Sequence, residues 1–293
     1  MDQCIKRYDN QVCRAHLKLI DNKKEWGTTM IDTHTHYAHY QYDEDRAEAL
    51  AKAFDSGVKA LINIAITYES NEQMREMFKE YDNIFFSVGI HPCRITEEDC
   101  ANAKERLAGL KDYADWDKAV AIGETGLDYL KETEEEKREI QRQWFRHHIE
   151  LALEKELPLV LHIRGEGAMK DALAIMNSYD LPDIPGVCHC FVGSPDEAEA
   201  LMNMGFLFGI GGLITQRRLK DLRTSMKMIP LESILLETDC PFLAPAGYDS
   251  KRNGSDSLPL IVKVIANLKG VTEDEVIRQT TDNTKKVFHK IRL

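Results

Sequence analysis

Short apolar runs alternate with longer polar segments from residue 29 to the end of the chain. The apolar runs predict buried strands, and the Glu- and Lys-rich segments between them predict surface helices. The predicted strands are Thr29–Asp32, Val58–Ile66, Ile84–Ile90, Ala119–Gly123, Leu159–Ile163, Gly186–Cys190, Phe206–Ile210 and Ser233–Glu237. Eight strands that alternate with helices are typical of an α/β protein with a (β/α)8 TIM barrel, and a doubly wound open sheet is the alternative.

Two helix starts are predicted from local polar residues. Thr133-Glu134-Glu135-Glu136 has the spacing of a capping box, and the helix after it is predicted to end before Pro158. Ser194-Pro195-Asp196-Glu197 combines a capping hydroxyl, a proline and two acids, so a second helix is predicted to begin there.

Composition indicates a globular protein, because 43% of the 293 residues are hydrophobic and 30% are charged. We predict one domain over residues 28–293 and an extension over residues 1–27 that lacks the apolar core of a secretory signal. No apolar run is long enough to cross a membrane. Seven scattered cysteines predict a cytoplasmic protein rather than a disulfide framework. The net charge of -11 argues against a surface that coats nucleic acid, although a metal centre can still bind a small anion.

Reactive side chains lie at the ends of six of the predicted strands. They are His34 and His36 after the first strand, His91 after the third, Glu124 after the fourth, His162 in the fifth, His189 in the sixth and Asp239 after the eighth. Active sites of such barrels lie at the carboxyl ends of the strands, so these side chains are predicted to converge at the barrel mouth. Four histidines and two carboxylates among them match the ligand set of a two-metal hydrolase.

Each of these residues has an ordinary structural interpretation when it is taken alone. His91 before Pro92 fits a turn, Glu124 fits an acid at a helix start, and Asp239 fits a helix cap. His189 lies between two cysteines, but the Cys-x-Cys spacing lacks the second pair of a structural zinc site. Because all of these side chains are predicted to converge at the barrel mouth, a metal centre is favoured over the separate structural interpretations.

The predicted centre has two divalent metal ions that share one carboxylate. One ion is assigned to His34, His36 and Asp239, the other to His162 and His189, and Glu124 is assigned as the bridge. Two ions about 3.5–4 Å apart lower the pKa of a water molecule and clamp the attacked centre. Asp239 is also the candidate general base.

With these residues identified, the chain resembles the TatD family of metal-dependent hydrolases in the amidohydrolase superfamily. The matching stretches are Ile31–His36, Val88–Pro92, Ala121–Tyr129, Pro158–Arg164, Gly186–Gly193 and Leu235–Leu243. The resemblance runs from about residue 30 to the C-terminus. It implies a barrel fold and a divalent-metal deoxyribonuclease, commonly a 3′→5′ exonuclease on single-stranded DNA or RNA.

The resemblance also implies roles for individual residues. The family's metal ligands fall on His34, His36, Glu124, His162, His189 and Asp239, and its phosphate-contacting histidine falls on His91. The chain departs from the family pattern in two places. Cys93 stands where the His-Pro-His motif has its second histidine, and Gly254-Ser255 replaces Glu-Pro after Arg252-Asn253.

Further residues are predicted to bind the end of a nucleic acid, which is the expected substrate and partner. Arg164, Arg252 and Asn253 would join His91 at the phosphate, and Phe191 or Tyr129 would stack on a terminal base. The working ion is left open among magnesium, manganese and zinc, because imidazoles favour softer ions whereas the family is usually active with magnesium. No obligate protein partner is inferred.

Two other functional classes remain open from the sequence. One is an amidohydrolase-type enzyme on a small amide, ester or phosphoester, which the net charge of -11 favours. The subgroup with a carboxylated lysine at the fourth strand is disfavoured, because Glu124 stands there. The other class is a non-catalytic binding protein that keeps the barrel.

Overall fold

The computed structural model describes residues 29–292, so the predicted extension over residues 1–27 lies outside the described residues. The strands are β1 (Met30–Thr35), β2 (Val58–Ile64), β3 (Ile84–Val88), β4 (Ala119–Asp128), β5 (Leu159–Arg164), β6 (Gly186–Cys188), β7 (Leu207–Ile210) and β8 (Ile234–Leu236). All are parallel, and each pairs with the next strand in chain order. Every predicted strand is therefore confirmed. β4 continues past its predicted end because its residues as far as Asp128 pair with β5.

The first and last strands meet and close the sheet into a barrel. Thr35 forms a parallel bridge with Cys240, and the His36 N–H donates to the Cys240 carbonyl at 2.8 Å. The Asp239 N–H donates to the His34 carbonyl at 2.9 Å. The (β/α)8 prediction is thus confirmed, and the doubly wound open sheet is wrong.

Helices cover the outside of the barrel between successive strands. Within residues 29–292 they are α1 (Arg46–Asp55), α2 (Tyr68–Phe78), α3 (Glu97–Ala101), α4 (Ala103–Ala114), α5 (Glu135–Lys155), α6 (Ala168–Met176), α7 (Pro195–Asn203), α8 (Lys220–Met228), α9 (Leu258–Lys269) and α10 (Glu273–Val287). No helix in this part of the chain combines the length and apolar composition needed to cross a membrane.

The two predicted helix starts have different outcomes. Ser194 caps α7 as predicted, because its hydroxyl accepts from the Glu197 N–H while the Glu197 carboxylate accepts from the Ser194 N–H. The capping box at Thr133 is wrong. α5 begins at Glu135, so Glu134 rather than Thr133 occupies the N-cap position, and no side chain caps the first turn.

Two apolar layers hold the barrel together. The outer layer lies between strands and helices, and the inner layer is formed by strand residues such as Ile31, Ile62 and Val160. Phe288 and Ile291, which follow α10, join the inner layer near the strand starts. Burial of a side chain such as Phe288 contributes about 2 kcal/mol to the free energy of folding. The strand-start end is therefore packed with apolar side chains, which leaves the carboxyl end for chemistry.

A buried histidine links α5 to the turn that follows β3. His148 Nδ1 lies 2.7 Å from the Trp144 carbonyl, and its Nε2 accepts from the Ile90 N–H at 3.1 Å. One nitrogen donates and the other accepts, so the ring is neutral in the folded protein. Burial lowers the pKa of His148 to about 4. His148 thereby fixes the backbone immediately before His91.

Replacing His148 with Gln should make folding stability less sensitive to acid. The unfolded chain binds a proton near pH 6.5 whereas the folded chain resists one down to about pH 4, so the stability from neutral His148 is present above pH 6.5 and is lost as the pH falls. Between pH 7.5 and pH 5 the parent should lose about 2 kcal/mol through this residue, and the variant should not. Urea unfolding at both pH values measures the difference.

His147→Gln is the matched control, since His147 is the neighbouring residue on α5 and its side chain is 38% exposed. Equal acid sensitivity of the parent and the His148 variant would contradict the neutral, hydrogen-bonded role of His148.

Candidate metal centre

The carboxylate of Glu124, in β4, lies at the centre of a buried histidine cluster. His162 Nδ1 is 2.6 Å from Glu124 Oε1, and His34 Nε2 is 3.4 Å from Oε2. His91 Nε2 and His189 Nε2 lie 3.6 and 3.7 Å from Oε1. These histidines come from four different strands or strand ends. The barrel therefore brings together residues that are far apart in sequence, as predicted.

A second carboxylate, Asp239, faces the histidine pair at the end of β1, His34 and His36. His36 Nε2 lies 3.2 Å and His34 Nε2 lies 3.8 Å from Asp239 Oδ1. Asp239 has a positive φ of 58°, a conformation that costs a non-glycine residue about 1 kcal/mol. The turn is held by its N–H bond to the His34 carbonyl and by the Phe242 N–H, which donates to the Asp239 carbonyl at 2.9 Å.

His34 is buried without any hydrogen-bond partner for its two ring nitrogens. Its ring stacks on that of His189, with ring centroids 3.4 Å apart. Burial and the neighbouring His189 lower the pKa of His34, so the ring is held neutral. A buried, neutral imidazole with both nitrogens unpaired is costly unless one of them binds a ligand. These properties fit a metal ligand.

Two acids behind the cluster orient the histidines on β5 and β6. Asp128 Oδ2 lies 3.1 Å from His162 Nε2, and Glu237 Oε1 lies 3.1 Å from His189 Nδ1, although the latter pair is not aligned as a hydrogen bond. In each case the other ring nitrogen is left toward Glu124. Carboxylate–histidine pairs of this kind are common behind metal sites because they fix the ring and increase its basicity.

Asp32, in β1, forms a third supporting contact. Its Oδ1 accepts from the Thr238 N–H at 3.0 Å and from the His34 N–H at 3.3 Å, and its Oδ2 accepts from the Thr238 hydroxyl at 2.6 Å. Burial raises the pKa of Asp32 to about 7. These bonds join the ends of β1 and β8 beneath His34 and Asp239.

Sequence reasoning missed these supporting acids, although a signal was present. Asp32 and Glu237 each lie two residues before a predicted ligand, and Asp128 lies four residues after Glu124. An even separation along a strand places side chains on the same face. Acids at an even spacing from a strand-end ligand could therefore have been predicted to face the same site.

Glu237 also explains a glycine in the neighbouring strand. A Cβ atom at Gly209 of β7 would lie 2.0 Å from Glu237 Oε2. The carboxylate occupies the space that a side chain would need, and Glu237 Oε1 accepts from the Cys190 N–H at 2.7 Å. Gly209 therefore makes room for the acid that lies beside His189.

Charge balance in the cluster favours an ionised Glu124. Burial raises the pKa of Glu124, but the surrounding histidines, including the direct contact of His162, hold it well below its usual value. Burial also lowers the pKa of His162, yet Glu124 and Asp128 together raise it to about 9. Glu124 is thus an ionised carboxylate at the centre of the histidine cluster, where a cation can be bound.

Cys93, which stands where the family pattern has a histidine, forms hydrogen bonds near the cluster. The Cys93 thiol hydrogen-bonds the Asp128 carboxylate, and burial raises the pKa of the thiol to about 12, so it stays protonated and donates. The Cys93 N–H donates to His91 Nδ1 at 3.0 Å. This residue therefore supports both His91 and the acid behind His162.

The predicted substrate residues have different surroundings. Phe191 is buried with its ring centroid 4.9 Å from that of Phe208, and Tyr129 is buried with its hydroxyl bonded to Asp171. Neither ring is presented to solvent at the barrel mouth, so neither can stack on a base as expected. The fifth-strand residue Arg164 does lie at the cluster, where it donates to Cys190 Sγ at 2.9 Å.

The two residues predicted after β8 make structural contacts. Arg252 pairs with Asp45 and lies over the Tyr42 ring, with 4.7 Å between the guanidinium carbon and the ring centroid. Asn253 is buried, and its Nδ2 donates to the carbonyls of Thr238 and Phe242 at 2.9 and 2.8 Å. Asn253 therefore shapes the loop around Asp239, and the charge of Arg252 is already balanced.

Three overlapping sets of side chains have donor atoms close enough to share an ion. They are His34, His36 and Glu124; His34, His189 and Glu237; and His91, Glu124 and His162. Imidazole nitrogens and carboxylate oxygens suit zinc and manganese in particular. The sets meet at His34 and Glu124, so ions held in them would be close neighbours.

Replacing Glu124 with Gln should remove bound metal while preserving side-chain volume. The neutral amide lacks the charge that the histidines surround, so affinity for divalent ions should fall by more than about 100-fold. Metal content per chain by mass spectrometry and the rise in melting temperature on adding Mn²⁺ or Zn²⁺ measure the effect. Glu166→Gln, at an exposed acid in the loop after β5, is the control. Unchanged metal content in the Glu124 variant would exclude this carboxylate from the centre.

Known proteins are similar to this chain over most of its length. The family model described as "TatD related DNase" matches residues 31–289. The chain is 35% identical over 262 residues to the uncharacterized metal-dependent hydrolase YabD of Bacillus subtilis, covering 88% of this chain and 98% of that protein. It is 33% identical over 266 residues to the 3'-5' ssDNA/RNA exonuclease TatD of Erwinia billingiae, covering 88% of this chain and 98% of that protein.

A solved structure has the same fold. The crystal structure of YjjV, a TatD homolog from Escherichia coli, superposes with a TM-score of 0.78 at 27% sequence identity. The match covers 89% of this chain and 98% of that chain. The relatives are thus similar over nearly their whole length, including the strand ends that carry the cluster.

Proposed function

Because the chain belongs to the TatD family of metal-dependent hydrolases, we propose that it removes nucleotides from the 3′ end of single-stranded DNA or RNA. The observation that carries the proposal is the buried Glu124 carboxylate, which four imidazoles approach within 3.7 Å at the carboxyl end of the barrel. A relative named as a 3'-5' ssDNA/RNA exonuclease supports this choice of substrate.

In this proposal the chain holds two divalent ions. His34, His36 and Asp239 would hold one, His162 and His189 would hold the other, and Glu124 would be shared between them. Such ions, whether magnesium, manganese or zinc, supply positive charge that polarises a phosphodiester and lowers the pKa of water. Asp128 and Glu237 keep the rings of His162 and His189 in the orientation that binding requires.

We assign the general base to Asp239. Its side chain is 15% exposed, compared with 4% for Glu124 and 1% for Glu237, so it is the acid of the three that incoming water reaches most readily. Asp239 accepts the proton of the attacking water as the new bond to phosphorus forms. The phosphorus–O3′ bond to the remaining strand then breaks, so the terminal nucleotide leaves with its phosphate, and the freed O3′ takes up a proton from solvent. The contact with His36 at 3.2 Å holds the carboxylate in place.

His91 and Arg164 are assigned to the substrate phosphate. His91 Nδ1 accepts from the Cys93 N–H, and burial lowers the pKa of His91 to about 3, so the neutral ring carries its proton on Nε2. That N–H can donate to a phosphate oxygen. Arg164 adds a positive charge between the ends of β5 and β6. Arg252 is assigned a peripheral role, because Asp45 already balances its charge.

A second candidate function is hydrolysis of a small phosphoester, ester or amide. The net charge of -11 favours it, because a strongly acidic protein repels a long polyanion at low salt. The two functions differ in how activity depends on substrate length. Small chromogenic phosphoesters, esters and amides assayed beside oligonucleotides separate them.

The metal-loaded protein should shorten a 5′-labelled single-stranded oligonucleotide stepwise from its 3′ end. Attack at a terminal phosphodiester produces a ladder of labelled products, whereas a 3′ label is released at once as a mononucleotide. Parallel reactions with magnesium, manganese and zinc, resolved on denaturing gels, identify the working ion. His162→Ala should lower the rate by at least about 100-fold.

His147→Ala, on the outer helix α5, is the matched control for that variant. If the oligonucleotide stays intact with every ion while a small ester or phosphoester is hydrolysed, the exonuclease is contradicted and the second candidate function is supported.

Replacing both His34 and His36 with Ala should remove one ion selectively. These side chains face Asp239 and are assigned to the ion at that end of the cluster. The side chains of His162 and His189, which are assigned to the other ion, are retained in the variant. Mass spectrometry of the native protein should then show about one ion fewer per chain, and circular dichroism should show a folded barrel. Retention of both ions by a folded double variant would show that the pair is not a ligand set.

A further inference from the structure

Two aromatic side chains are unusually exposed beside the candidate metal centre. Tyr40, in the loop after β1, is 71% exposed, and Phe242, in the loop after β8, is 41% exposed. His39 lies between them, with ring centroids 4.3 Å from Tyr40 and 5.1 Å from Phe242. We call these three residues the aromatic rim. They form one continuous group of rings from two loops that adjoin across the closure of the barrel.

The aromatic rim is tied directly to the catalytic end of the cluster. The Phe242 N–H donates to the Asp239 carbonyl at 2.9 Å, and the Phe242 ring centroid lies 6.0 Å from that of His36. His39 in turn donates its backbone N–H to the His36 carbonyl at 2.9 Å. The rim is thus anchored to His36 and to Asp239, the proposed general base. A group that covers the rim would lie beside these two residues.

The exposure of the rim side chains argues against a role in core packing. Large hydrophobic side chains exposed in residues 29–292 are Tyr40, Leu130, Leu153, Met228 and Phe242. Tyr40 and Phe242 are the aromatic members of this set, and they share His39 as a neighbour. Exposed aromatic rings of this kind can stack on flat heterocycles through their faces.

We propose that the aromatic rim binds a nucleobase at the end of the single-stranded substrate. This inference rests on the proposed exonuclease function and adds to it the subsite that holds the base. Stacking suits every base, because each base has a π-face, and it therefore fits an enzyme that must accept any terminal nucleotide. It also replaces the expected stacking by Phe191 or Tyr129, whose rings are buried.

The rim explains how an acidic protein could hold a nucleic-acid end. Broad phosphate attraction is weak with a net charge of -11, so binding energy must come from local contacts. Stacking on aromatic rings is nearly independent of salt, in contrast to contacts with phosphates. Affinity should accordingly depend on the presence of a base at the rim more than on the ionic strength.

The test is a comparison of a substrate with an intact 3′-terminal base and one with an abasic 3′-terminal nucleotide. Tyr40→Leu and Phe242→Leu keep apolar bulk but remove the π-face, and each should lower kcat/KM roughly tenfold on the intact substrate. Neither change should affect the abasic substrate, for which the parent itself should be slow. Tyr40→Phe should behave like the parent, because the ring is retained. Leu130→Ala, at a 66% exposed residue after β4, is the control.

Binding measured without turnover separates this inference from the proposed function. A fluorescent oligonucleotide with phosphorothioate linkages resists cleavage, and its anisotropy reports affinity directly. Base-dependent binding that both Leu variants weaken, without any cleavage of ordinary oligonucleotides, would overturn the exonuclease and retain the base site. The base site would be overturned if the Leu variants lost equal affinity for intact and abasic ends, or if the oligonucleotide did not bind at all. It would also be overturned if the Leu variants changed the oligomeric state of the protein while the dependence of binding on the terminal base stayed the same.

Discussion

The buried negative charge of Glu124 is the constraint on which the rest of the site depends. A carboxylate removed from water must be compensated, and here the compensation comes from imidazoles on neighbouring strand ends. The two ring nitrogens of His34 have no hydrogen-bond partner, so the cluster is organised for a cation rather than for its own stability. The acids behind the histidines complete the arrangement, because they fix the rings that surround Glu124.

Function is concentrated at one end of the barrel because the other end is filled. Phe288 and Ile291 pack against inner strand residues near the strand starts, and this apolar packing lets the carboxyl ends carry an excess of buried polar groups. Strand-end loops then supply the supporting contacts. Asn253 satisfies carbonyl groups around the Asp239 turn, and the backbone before His91 is fixed from α5 by His148.

Much of the fold, and the convergence of the cluster residues, could be predicted from the alternation of apolar and polar segments along the chain. Alternating apolar runs and helices define the barrel, and the barrel then predicts that residues such as His34, Glu124 and His162 meet. The directions of side chains in the loops after the strands could not be predicted in the same way. Phe191 follows His189 closely in sequence, yet a tight turn directs its ring onto Phe208 in the outer layer.

The supporting acids and the aromatic rim were missed for different physical reasons. A buried acid such as Asp32 looks like any surface acid in sequence, and only its spacing from His34 distinguishes it. The rim depends on loops from opposite ends of the chain, so no local pattern relates Tyr40 to Phe242. The capping box at Thr133 failed because the helix begins at Glu135, so the N-cap position falls on Glu134, whose side chain makes no capping bond.

The hydrogen bonds between the ends of β1 and β8 make the metal centre a reporter of completed folding. His34 and Asp239 become neighbours only when the last strand docks on the first, so a nascent chain that lacks β8 has an incomplete ligand set. An ion bound between His34 and Asp239 would link the two ends of the closed barrel. To the extent that such an ion binds the closed form in preference to the open form, it would stabilise the closed barrel in proportion to the logarithm of its free concentration.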